Sequence, residues 1–76
     1  MNEEEAVRAV KRRHSAEVLG QRGVSGFGIE KDAGGQYVLT IHVDTDDPEV
    51  HKKLPSAIDG YRVKIVKSGP FQKYSG

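Results

Sequence analysis

His42, Asp44, Asp46, Asp47 and His51 fall within ten consecutive positions. Imidazoles and carboxylates are the ligand types of zinc and related divalent ions. His42 and Asp44 share a face if a strand continues through them, and His51 lies one helical turn beyond Asp47. The run Asp44-Thr45-Asp46-Asp47-Pro48-Glu49 lacks the central glycine and the closing glutamate of a helix-loop-helix calcium site. Aspartates before a proline also cap helices. The simpler expectation is capping by the aspartates and partial exposure of the histidines. No metal or other cofactor is therefore assigned, and His42, Asp44, Asp47 and His51 are the set to locate in the fold.

A second constellation is cationic. Lys11 and Arg12, followed by Arg13 and His14, lie in one segment, and Arg62, Lys64 and Lys67 alternate through another that runs on to Phe71 and Tyr74. Cations hold phosphates and aromatic rings stack bases, so these residues are candidates for binding RNA or single-stranded DNA. Net charge argues little, because 12 basic and 11 acidic side chains leave +1. No RNA-recognition signature accompanies the basic residues, and the acidic stretch 44–49 would repel a nucleic-acid backbone. Placing Arg12, Arg62, Lys64 and Lys67 on one face would strengthen that reading, and scattering them would weaken it.

Gly23, Gly26 and Gly28 raise a third possibility, phosphate binding. A phosphate loop places glycines between a strand and the first turn of a helix. Here the glycines lie within a strand-like run that continues into a hairpin, so close packing against the strand is the better explanation, with a β-bulge second. Hydrolytic chemistry has no constellation. His14, His42 and His51 are not tied to any serine by a nucleophile motif. A non-enzymatic protein is expected.

The elements that must position these side chains are legible. Residues 3–19 read as a helix capped by Asn2, with three glutamates in the first turn and Val7, Val10, His14 and Val18 as its apolar stripe. Gly20 is expected to end it with a positive φ. Residues 24–30 form a strand whose faces are Val24/Gly26/Gly28 and Ser25/Phe27/Ile29. Asp32 and Gly34-Gly35 turn the chain into a second strand, 37–43, with Tyr37, Leu39, Ile41 and Val43 on one face. Asp47-Pro48 starts a short helix, 48–54, ended by Pro55, with Val50 and Leu54 toward the sheet. Ile58 plugs a turn reversed by Gly60. Residues 61–67 form the third strand, and Phe71 and Tyr74 offer a short fourth. The order α-β-β-α-β predicts one α/β domain over 1–76, a two-layer α+β sandwich with a small mixed sheet of three strands. Strands two and three are parallel, joined by a right-handed crossover.

Gly23, Gly26, Gly28, Leu54, Pro55, Ile58, Asp59, Gly60 and Val63 together resemble a small α/β module of uncharacterised bacterial and archaeal proteins, over roughly residues 23–69. The module is similar to segments found beside trypsin-like peptidase domains. That resemblance implies an accessory role near an enzyme. The chain has no cysteine, no long apolar run and an acidic start, so a cytoplasmic protein without a membrane segment is expected. The leading expectation is a protein partner or a homodimer, docked on an apolar patch of Val38, Val66 and Phe27 on the second sheet face.

Overall fold

The computed structural model describes residues 2–67. The elements run α1 (Glu3–Leu19), β1 (Val24–Lys31), β2 (Tyr37–Val43), α2 (Pro48–Lys53), β3 (Ala57–Ile58) and β4 (Tyr61–Lys67). The strands form one open mixed sheet in the order β1-β2-β4-β3. β1 and β2 are antiparallel, β2 and β4 parallel, and β3 and β4 antiparallel. This is the α+β architecture expected, with an additional short strand at Ala57–Ile58. Phe71 and Tyr74 lie outside the described residues. Ala57–Ile58, read from the sequence as part of a turn, is a short strand. Asp59 (φ 50°) and Gly60 (φ 86°) make the two-residue, positive-φ loop of a tight hairpin, so Ile58 pairs with Tyr61.

Local chemistry explains the helix ends. The Asn2 side chain accepts a hydrogen bond from the Glu5 amide at 2.8 Å, satisfying a donor that the first turn cannot. Gly20 does not close α1 with a positive φ. It stays right-handed at φ −80°, and its amide donates to the Ala16 carbonyl at 3.1 Å. The positive φ falls three residues later, at Gly23 (86°). Asp47 caps α2 by accepting from the Glu49 amide at 3.0 Å, with Pro48 in the first turn. Leu54 leaves the helix with ψ 144°, the extended conformation that the following proline demands. The helix therefore ends at Lys53, one residue earlier than expected.

The core lies on one side of the sheet. Val7, Val10 and Val18 of α1 pack with Leu39, Ile41 and Val43 of β2, Ile58 of β3 and Val63 of β4. Phe27, Ile29, Leu54 and Ile65 pack around them. Leu54 brings the end of α2 to the same side as α1. Val50 is buried differently: Gly23 packs tightly against it and Thr45, so closely that a methyl group there would lie 2.9 Å from Thr45 Cγ2 and 3.0 Å from Val50 Cγ1.

β1 departs from simple alternation. Val24 pairs with Val43, but Gly26 pairs with His42, so Ser25 is an extra residue, a β-bulge. The bulge turns Val24 to the core face with Phe27 and Ile29, and leaves Gly26 and Gly28 on the opposite face. Val24 and the two glycines therefore do not share a face. Phe27, opposite Ile41, belongs to the core side and not to a patch with Val38 and Val66.

Candidate functional site

The second sheet face carries Gly26, Gly28 and Glu30 from β1, Val38, Thr40 and His42 from β2, and Arg62, Lys64 and Val66 from β4, by their register. Among the described residues Phe27 faces the core side and Val38 is buried, so Val38, Val66 and Phe27 do not form one patch. Lys64 Nζ lies 3.7 Å from Glu30, and the Arg62 guanidinium donates to Asp32 at 3.2 Å. β1 and β4 are two strand spacings apart, about 10 Å, so both pairs reach across β2. Val38 and Thr40 lie along that path, with exposures of 5% and 0%. At the sheet end, Lys67 pairs with Asp46 at 2.9 Å. Each of the three cations of β4 thus has a carboxylate of its own. Lys11 and Arg12 stand elsewhere, on α1.

The histidine–aspartate set disperses as well. Asp47 caps α2 and also receives the Arg22 guanidinium at 3.3 Å. His51 Nε2 lies 3.0 Å from the Thr45 carbonyl oxygen. The His42 ring lies along Gly26, where a methyl group would sit 3.5 Å from it. Asp46 is engaged by Lys67. Among the described residues no group of three or more histidine, cysteine, aspartate or glutamate side chains is arranged to hold a metal ion.

A pairing that sequence reading missed joins α1 to the β3–β4 turn. Asp59 accepts from the Arg13 guanidinium at 3.0 Å and lies 3.1 Å from His14 Nε2. The hydrogen bonds from His14 and then Arg13 hold the Asp59 carboxyl below the usual carboxylate range. The signal was the Asp-Gly dipeptide, which fixes where that carboxylate must turn. These contacts tie α1 to the β3–β4 turn.

Among the described residues, the long edge that internal contacts leave open is the outer edge of β1. Among the described residues no strand pairs with it. Asp32 donates its amide to the Gln36 carbonyl at 2.9 Å, which sets the phase of the antiparallel ladder. Gly26, Gly28 and Glu30 therefore direct their backbone groups to β2, while Phe27, Ile29 and Lys31 direct theirs outward. The opposite end of the sheet is blunted by β3, only two residues long, whereas β1 has eight. A groove of about 460 Å³ follows the β1 edge, lined by Arg8, Lys11, Arg12 and Ser15 of α1 and by Gly28 and Ile29. Arg8 pairs with Glu4 at 2.8 Å. Lys11 and Arg12 have no ion-pair partner among the described residues.

Gly28 is the residue at this edge that the fold does not explain. Its φ is ordinary, and a methyl group built there meets nothing within 4 Å. Gly23 has a positive φ and tight neighbours, and Gly26 has the His42 ring. A strand glycine without such a reason costs about 0.5–1 kcal/mol, and one known use for it is the close approach of another backbone or ligand.

No family model matches the chain, and no curated protein or solved structure matches it significantly. None of the described helices is long and apolar enough to cross a membrane.

Proposed function

We propose that this protein is a non-enzymatic, cytoplasmic interaction module that binds a partner protein along the outer edge of β1. The observation that carries the reading is Gly28, a bare position on a long edge strand with no internal need for glycine. An extended segment laid against β1 would take up the outward backbone groups of Phe27, Ile29 and Lys31, as strand addition does in other recognition domains. Gly28 would give its side chains room on the second face. An accessory role of this kind agrees with the resemblance to segments beside peptidase domains. Nucleic-acid binding finds less support, because Arg12 lies on α1 while Arg62, Lys64 and Lys67 are each matched by a carboxylate.

Selection of peptides from a random displayed library, followed by amide chemical-shift mapping, tests the reading. Selected peptides should shift the amides from Gly26 to Lys31. Gly28→Val should weaken them about tenfold or more, a loss of about 1.4 kcal/mol, without lowering the melting temperature. Peptides that map elsewhere and bind Gly28→Val equally well, or a selection that yields none, would overturn it.

A further inference from the structure

The docking reading says where a partner lies, and the charge around the groove says what kind. Resting on that reading, we propose that the β1 edge selects an extended acidic segment of another protein, with carboxylates alternating with bulky side chains. A strand added to β1 presents its side chains alternately to the two faces of the sheet. Those on the core side enter the groove toward α1, where Lys11 and Arg12 have no ion-pair partner among the described residues. Those on the other side lie over the bare position at Gly28, where a methyl group would meet nothing within 4 Å and bulk is accommodated. The occupant that satisfies both faces is acidic on one and bulky on the other.

A second copy of the chain fits less well. Antiparallel pairing of β1 with its own symmetry mate is the natural isologous arrangement of an open edge. It would set α1 beside α1 on the same face, and Lys11 and Arg12 of one copy against those of the other. Like charges placed so oppose association. An acidic partner turns the same charges into an attraction that also steers its approach.

The test compares three end-labelled short peptides of one β-prone sequence, with glutamate, glutamine or lysine at alternate positions. Binding is read by fluorescence anisotropy and located by amide shifts. The glutamate peptide should bind about tenfold tighter than the lysine peptide, and the difference should shrink between about 50 and about 500 mM salt as charges are screened. The double variant Lys11→Glu with Arg12→Glu should invert the preference. The Lys11→Gln with Arg12→Gln variant should erase it, and circular dichroism checks that both stay folded. Equal affinities of the three peptides, all at β1, would overturn the acidic inference and leave the docking reading in place. No peptide at β1 would overturn both, and an RNA oligonucleotide shifting the same amides would reassign the groove to nucleic acid.

Discussion

Gly23 and Gly28, five positions apart, make opposite demands. Gly23 holds a φ of 86° and has Thr45 and Val50 within touching distance. Gly23→Ala should therefore destabilise the fold by about 1–3 kcal/mol through backbone strain and overpacking. Gly28→Val, on an unstrained strand with open space, should be neutral or add up to about 1 kcal/mol. Urea unfolding of the two variants beside the parent chain checks both signs. Sequence reading put Val24, Gly26 and Gly28 in one strip because strict alternation requires it. The bulge at Ser25, which sequence reading held second to close packing, breaks that parity, and the glycines alone do not say at which residue it falls. Asp59 makes a further residue-scale claim. Its folded-state carboxyl lies below the ordinary value, so its contribution is present above the unfolded carboxylate pKa and is lost as pH falls through the lowered folded value. Asp59→Asn keeps a side chain that tolerates positive φ and removes the charge. The variant should lose the Arg13 and His14 contacts at neutral pH. Its stability should converge with that of the parent chain as the solution is acidified, and melting curves across the acid range read this directly.

At the scale of elements, periodicity and capping residues were legible. The Asp47-Pro48 start of α2, the glutamate-rich first turn of α1 and the alternation in β2 and β4 all read directly from residue types. What escaped was β3, since two residues carry no periodicity, although Asp59-Gly60 marked the hairpin. Asp46 and Asp47 stand side by side before α2 in different roles, and their substitution separates them. Asp47→Ala should cost about 1 kcal/mol, because the Glu49 amide loses its acceptor. Asp46→Ala removes an exposed ion pair with Lys67 and should change stability by less than about 0.5 kcal/mol. Denaturant midpoints of the two variants decide it.

For the whole molecule, the sheet has one committed face and one that its own ion pairs cover. Leu39 lies at the centre of the committed face and is fully buried. A domain of 76 residues has a stability of about 4–11 kcal/mol, and Leu39→Ala should remove about 2–5 of it. Thermal unfolding should show a large fall in midpoint with the cooperative transition retained. Where the cations would settle was not legible, since a carboxylate partner across a sheet depends on register. Arg62, Lys64 and Lys67 looked like a binding strip in sequence, yet the fold gives each a partner from a distant segment. Among the described residues Lys11 and Arg12 have no such partner and line the groove, so they are left to an outside ligand there.

Docking along β1 is most directly tested by amide hydrogen exchange of Phe27, Ile29 and Lys31, with and without a saturating acidic β-prone peptide. Their outward amides should exchange at least about tenfold more slowly when the peptide pairs with them, while the amides of Gly26 and Gly28, already turned to β2, change little. Unchanged exchange at Phe27, Ile29 and Lys31, with peptide-induced shifts confined to Arg62, Lys64 and His42 on the second face, would contradict the account.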